Sequence, residues 1–235
     1  MSAAATARSL PLSRSIEDYL KAIYQLEAGG APAQTSAIAE ALGLAPPSVS
    51  GMLKRLAESG LIEHEPYKGV TLTAAGRRAA LKIVRRHRIL ESYLMSKLGY
   101  DWDTVHEEAE SLEHAASDQL VERMAMALGN PQYDPHGSPI PTSAGEIEEP
   151  DLVSLDNVPV GDMVELRMVS DTEPERLRFL ASLGLKPGTR FEVLGKQPFR
   201  GPVTIRLLGA IPRDQVIGHE LACSLWCSLG EQEVG

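Results

Sequence analysis

The sequence predicts a mostly α-helical chain with small β elements, built as several modules. Three observations carry this expectation. Apolar residues recur at helical spacing through most of the stretch from Ser13 to Gly129, short β-rich runs follow Gly60 and return beyond Asp151, and charge is divided along the chain. A length of 235 residues suits two or three domains. The formal net charge is -9, but it is +5 through Leu98, -11 from Gly99 to Pro150 and -3 from Asp151 onward. A basic amino-terminal third before an acidic middle is what a nucleic-acid module joined to a cation-binding module needs. Cys223 and Cys227 are too few for a disulfide framework. Neither a long apolar core before Ser13 nor a run of roughly 18 apolar residues occurs, so a soluble, cytoplasmic protein without a membrane segment is expected.

Residues 2–12 are Ala/Ser-rich and read as frayed. A first helix starts near Ser13 or Ser15, with Ser15 and Asp18 spaced as a capping pair and Ile16, Leu20, Ile23 and Tyr24 as its apolar stripe. It ends at Gly29-Gly30. Thr35 can cap a short helix through Leu42, and Pro46-Pro47 opens another with Val49, Met52, Leu53 and Leu56 inside. After Gly60, Leu61–Glu65 and Gly69–Thr73 read as two strands joined by a turn around Pro66. Thr73 caps a long helix reaching about Lys97, roughly 25 residues or nearly 40 Å. Asp103 can cap the next helix and Ser117 the one after, whose stripe is Leu120, Val121, Met124 and Leu128. From Asn130 to Pro159 the chain is dense in Pro, Gly, Ser and acids, and its later part reads as an exposed linker. Beyond it, Met163–Val169, Arg190–Leu194, Val203–Leu208 and Val216–Gly218 read as strands and Pro174–Ser182 as a helix. Cys223 and Cys227 fall in the last apolar segment, where free cysteine is more often core filler than ligand.

The chemically unusual side chains lie between His87 and His114. At about 100° per residue, His106, Glu110, Glu113 and His114 share roughly a 100° arc of one helix, and His87 stacks over Glu91 at i, i+4 on the helix before. Glu107 and Glu108 point elsewhere and read as an ordinary solvated face. Imidazole and carboxylate without thiolate suit manganese, iron(II) or zinc, and argue against a closed, cysteine-rich zinc site.

The run Ser48-Val49-Ser50-Gly51-Met52-Leu53-Lys54-Arg55-Leu56, with Gly60-Leu61-Ile62 behind it and Leu72-Thr73-Ala74-Ala75-Gly76 after the hairpin, resembles a winged helix-turn-helix. With Arg86–Glu91, Val105–Glu110, Leu112-Glu113-His114 and Asp134–Pro141, the chain resembles the diphtheria-toxin-repressor family of metal-dependent transcription regulators over nearly its whole length. The resemblance implies a winged helix-turn-helix domain at 1–74, a helical metal-binding and dimerisation domain at 75–145, a linker at 146–160 and an SH3-like β-barrel domain at 161–235. It implies a primary metal site of Asp18, Glu110, Glu113 and His114. At the positions of Glu110 and Asp18 the family's iron-responsive branch carries cysteine and methionine, so the two carboxylates here resemble the manganese-responsive branch and favour Mn(II), with Fe(II) as the alternative. One departure stands out: Lys21 occupies the position of a second first-helix carboxylate, and a protonated lysine cannot coordinate. His87, Glu91 and His106 match an ancillary second site, with Asp171 and Glu173 as candidate additions from the SH3-like domain.

For DNA, the resemblance points to the recognition helix and its surroundings: Thr35, Pro47, Ser48, Ser50 and Gly51, with Lys54, Arg55 and Lys68 for phosphates. Small residues at the helix start leave much of the selectivity to phosphate contacts and DNA shape. The implied activity is that of a homodimer on a palindromic double-stranded operator. Two alternatives stand beside it: a hydrolytic metalloenzyme with an open His/carboxylate site, and a metal-independent regulator with a structural metal.

Overall fold

The computed structural model describes residues 13–65, 68–170, 173–209 and 211–229. The expected frayed stretch 2–12 and the residues Pro66 and Asp171 lie outside these. The chain divides into two compact units: Met1–Arg85 with Pro141–Glu146, and Arg86–Ile140 with Ile147–Gly235.

The first unit runs α1 (Arg14–Glu27), α2 (Thr35–Ala41), α3 (Pro46–Glu58), β1 (Ile62–Glu65), β2 (Gly69–Leu72) and the start of α4 (Ala74–Tyr93). The three short helices bury their apolar stripes together. Leu20 and Ile23, Ile38, Val49, Leu53 and Leu56 meet Ile62, Val70 and Ile83 in one core. The hairpin pairs Ile62 with Leu72 through Glu65 with Gly69, and Ala33 bridges to Val70, so the wing is tied to the turn before α2. Thr73 caps α4 as expected, its Oγ1 accepting from Gly76 N at 3.1 Å. Gly76 has a packing reason: a Cβ there would stand 1.9 Å from the Leu61 carbonyl oxygen. Two expected caps fail. Ser13, not Ser15, precedes α1, and Gln34 precedes α2, so Thr35 is already helical and makes no cap. Pro141–Glu146 returns to this unit, with Arg85 Nη1 donating to the Pro141 carbonyl at 2.9 Å and Gly145 packed against the Arg78 backbone.

The second unit takes the rest of α4, a π-helical turn (Leu94–Leu98), α5 (Val105–Leu112) and α6 (Asp118–Ala127). Ile89, Leu90, Leu94, Val105, Ala109, Val121 and Ala125 form their common core. Ser117 caps α6 through Leu120 N at 3.2 Å. Asp103 does not cap α5: Thr104 holds that place, and Asp103 is paired with Arg178 at 2.9 Å. Leu120, expected inside, is exposed, while its neighbour Val121 is buried.

A six-stranded antiparallel sheet follows, in the order β3-β8-β4-β5-β6-β7, as an SH3-like domain requires. Its strands are β3 (Val153–Ser154), β4 (Met163–Val169), β5 (Arg190–Lys196), β6 (Val203–Leu207), β7 (Arg213–Ile217) and β8 (Leu225–Leu229), with α7 (Pro174–Leu183) and α8 (His219–Cys223) between them. Three strands and α7 match expectation closely, whereas β3 and β8 were not foreseen. The stretch expected as linker is partly core: Val153 and Ser154 pair with Cys227 and Trp226, and Leu155 and Val158 are fully buried. Trp102, between α4 and α5, joins the core of the sheet. Among the described residues no helix is long and apolar enough to cross a membrane.

Candidate metal centre and nucleic-acid face

Helices α4 and α5 each turn an apolar face into the core just described, and the i, i+4 spacing then places their polar residues on the adjoining face. His87 and Glu91 come from α4, His106 and Glu110 from α5, and Glu113 and His114 from its carboxyl end. His87 Nε2 and His106 Nδ1 lie 2.9 and 3.0 Å from the same oxygen, Glu91 Oε1, and 3.1 Å from each other. The other nitrogen of His87 faces Glu113 Oε2 at 2.7 Å. Glu110 Oε1 stands 3.6 Å from His106 Nε2 and 4.0 Å from His87 Nδ1, and Glu113 Oε1 stands 3.5 Å from His114 Nε2. Glu91 and Glu113 are fully buried, and His87 nearly so.

Burial alone would push the Glu91 carboxyl up, but the imidazoles of His106, His136 and His87 gathered around it outweigh this and hold the group well below the usual carboxylate range. Carboxylates only accept, so His87 donates from both nitrogens when Glu91 and Glu113 are ionised. Two N–H groups then crowd one oxygen with their nitrogens 3.1 Å apart. Glu91 Oε2, meanwhile, is buried without a hydrogen-bond partner. This donor set fits a divalent cation: lone pairs from His87 and His106 and an oxygen of Glu110 all lie within 4.8 Å of one another, and a cation would replace the crowded protons with bonds.

His136, in the Asp134–Pro141 stretch, was given no site role by the sequence, yet it faces this cluster. It is fully buried, its Nε2 donates to the Trp102 carbonyl at 2.9 Å, and its Nδ1 faces Glu91 Oε2 at 3.9 Å. Its loop is folded by Asp134, whose Oδ1 accepts from His136 N and Ser138 N, both at 2.9 Å, and Arg88 closes the loop through Asp134 and the Pro139 carbonyl. The signal was Asp134-Pro135-His136-Gly137, an Asx-type turn carrying an imidazole.

Asp18, Glu173 and Asp171 complete the expected ligands. Asp18 is half-buried on α1 in the first unit, and Lys21 on the same helix is buried. Glu173 precedes α7, is exposed, and pairs with Arg176 at 2.9 Å. Asp171 is outside the described residues.

On α3, Val49, Leu53 and Leu56 are buried while Pro47, Ser48, Ser50, Gly51, Lys54 and Arg55 are all exposed. The helical period thus turns the expected DNA-reading residues outward as one face. Ser50 Oγ donates back to the Pro46 carbonyl at 3.1 Å. Thr35 is half-buried at the start of α2, and Lys68 on the wing is exposed and paired with Glu65 at 2.6 Å. An exposed pair of this kind is weak and yields readily to a phosphate.

Residues 11–70 match the iron dependent repressor N-terminal DNA binding domain, 73–142 the iron dependent repressor metal binding and dimerisation domain, and 153–229 the FeoA domain. The chain is 32% identical over 192 residues to the diphtheria toxin repressor of Corynebacterium glutamicum, covering 77% of this chain and 84% of that protein. It is 32% identical over 218 residues to the iron-dependent repressor IdeR of Mycobacterium tuberculosis, covering 88% and 93%. Among solved structures, a manganese-dependent transcriptional repressor in complex with manganese superposes with a TM-score of 0.85 at 39% identity, covering 92% of this chain and all of the other. The manganese regulator SloR gives 0.77 at 31% identity, covering 93% and 100%. These relatives are DNA-binding repressors and not enzymes, which removes the hydrolytic alternative. With a DNA-binding domain, a metal-binding and dimerisation domain and an SH3-like FeoA domain in that order, the chain belongs to the iron-dependent repressor family of metal-dependent transcriptional regulators, the family of the diphtheria toxin repressor.

Proposed function

We propose that this protein is a cytoplasmic, homodimeric repressor of manganese-homeostasis genes, activated by Mn(II), with Fe(II) as the alternative ion, and acting on a palindromic operator. The observation that carries the choice of metal is a donor set of imidazole and carboxylate with no sulfur, which suits Mn(II) and Fe(II) over softer ions. Asp18, Glu110, Glu113 and His114 are the proposed primary ligands. His87, Glu91 and His106 are the second set, joined by Asp171, or by Glu173 if it leaves Arg176. The close approach of Glu113 to His87 supports treating the two sets as one coupled centre.

A bound divalent cation supplies the positive charge that lets these carboxylates stay close together. Glu91 and Glu113 hold the His87 ring from its two sides, and His136 steadies Glu91 from behind. Asp18 gives the amino-terminal module its own hold on that charge, so ligation selects one spacing of the two recognition helices in the dimer. Leu120 and Met126, exposed on α6, are apolar surface that a second copy would cover. Coupling of about 1–3 kcal/mol is typical of such switches and changes operator affinity roughly 5- to 150-fold.

Titration of operator binding with Mn(II), Fe(II) and Zn(II) separately is the direct test. Mn(II) should activate at the lowest free concentration, and Glu110→Ala should lose the response to all three. Operator binding that is equally tight in chelator would instead establish a metal with a structural role only.

A further inference from the structure

A second group of metal-type donors stands on elements that carry none of the residues above. Asp156 lies in the loop after β3, and His219 and Cys223 are one turn apart on α8. A carboxylate oxygen of Asp156, a ring nitrogen of His219 and the Cys223 sulfur all lie within 4.8 Å of one another. Cys223 Sγ is 3.6 Å from His219 Nε2. With Zn–S near 2.3 Å and Zn–N and Zn–O near 2.0–2.2 Å, tetrahedral ligands stand roughly 3.3–3.8 Å apart, so the sulfur–nitrogen distance already matches.

Asp156 supplies an independent observation. Its Oδ1 is buried and has no hydrogen-bond partner, an arrangement that proteins rarely leave uncompensated. The carboxylate is also held in place. Leu155 beside it is fully buried and donates to the Leu225 carbonyl at 2.8 Å, Asn157 N closes a turn on the Ser154 carbonyl at 2.8 Å, and Lys196 Nζ donates to the Asp156 carbonyl at 2.6 Å. On α8 the buried Ala222 seats the helix in the core, which turns His219 and Cys223 outward together. The expectation that both cysteines fill the core holds for Cys227 and fails for Cys223, which is exposed.

We propose that Asp156, His219 and Cys223 form a separate metal site on the SH3-like domain, selective for a thiolate-binding divalent ion, Zn(II) foremost, with water in the fourth position. Thiolate favours Zn(II) and Co(II) over Mn(II), so this site and the sulfur-free centre on α4 and α5 sort ions by donor chemistry. The protein would then hold a hard ion in its switch and a softer one in its SH3-like domain.

Cobalt spectroscopy of the full-length, metal-free protein tests this, because only a cysteine ligand gives a thiolate-to-Co(II) charge-transfer band. The band should appear on adding Co(II), persist in Glu110→Ala and Cys227→Ser, and vanish in Cys223→Ser. Cys227 is a sound control, being fully buried with its thiol pushed up to about 12 by burial. His219→Ala and Asp156→Asn should each weaken cobalt binding at this site by about tenfold or more. Zn(II) should abolish the band, and Mn(II) should leave it. A protein that binds Co(II) without the band, or a band that survives Cys223→Ser, overturns the proposal. Because the readout is sulfur-specific, it is independent of whether Mn(II) activates DNA binding.

Discussion

Glu91 shows how much of the metal centre rests on single side chains. Its two oxygens gather three imidazoles, His87, His106 and His136, and it has no solvent to share the charge with. His136 is the partner that offers no direct ligand in the proposed sets, so it acts by positioning. Outer partners of this kind typically contribute about 10–100-fold to metal affinity. His136→Gln should therefore weaken Mn(II) binding by that order in calorimetry while far-ultraviolet dichroism stays native; unchanged affinity would confine His136 to packing. The ligand candidates on α4 and α5 were legible because i, i+4 spacing is a local property. His136 was not, since its role depends on a carbonyl 34 residues away. Cys223 was misread for the same reason, its partner Asp156 being far earlier in the chain.

At the scale of elements, legibility followed length and period. α3 could be read from Val49, Leu53 and Leu56, and the residues that this stripe turns outward are those proposed to face DNA. Lys54 and Arg55 sit on that outward face. Arg55→Ala should weaken operator and random DNA nearly equally and reduce the slope of log affinity against log salt by about one. A loss confined to one operator position would make Arg55 a base reader instead. β3 was illegible because two residues show no alternation, and what identifies Val153-Ser154 as a strand is β8 beside it. Asp103 could cap α5 by every local rule, yet Arg178 takes its carboxylate. Local propensity loses wherever a charged side chain finds a stronger distant partner.

For the molecule as a whole, the second unit joins the metal-bearing helices to the sheet through the His136 loop and the Trp102-Asp103 stretch. Val169 N, at the end of β4, donates to the His136 carbonyl at 3.0 Å. Gly137, at φ +87, leaves no room for a side chain: a Cβ would stand 1.7 Å from the Arg167 carbonyl oxygen. Trp102 reaches the sheet core, donates through Nε1 to the Pro135 carbonyl at 3.1 Å and stacks on His136 with ring centroids 5.5 Å apart. Gly137→Ala should therefore force strand and loop apart, costing at least about 1–3 kcal/mol from the backbone strain alone. The expected signs are a lower Tm, weaker Mn(II) binding and a red-shifted Trp102 emission, and a variant with native stability and affinity would show that the loop is free to move. Deleting 151–235 should do the same more severely, since it strips the cover from Trp102 and removes the strand that holds His136.

The return of Pro141–Glu146 to the first unit gives folding an order in time. During synthesis α1 to α3 and the hairpin emerge first, but the segment that lies against Arg78 and Arg85 follows more than fifty residues later. At about 5–20 residues per second, the ribosome imposes a wait of several seconds before the amino-terminal unit can close. Through that interval the nascent chain has its reading helix formed but lacks its last strap, so the DNA-binding module stays open until the metal-bearing helices behind it have been made.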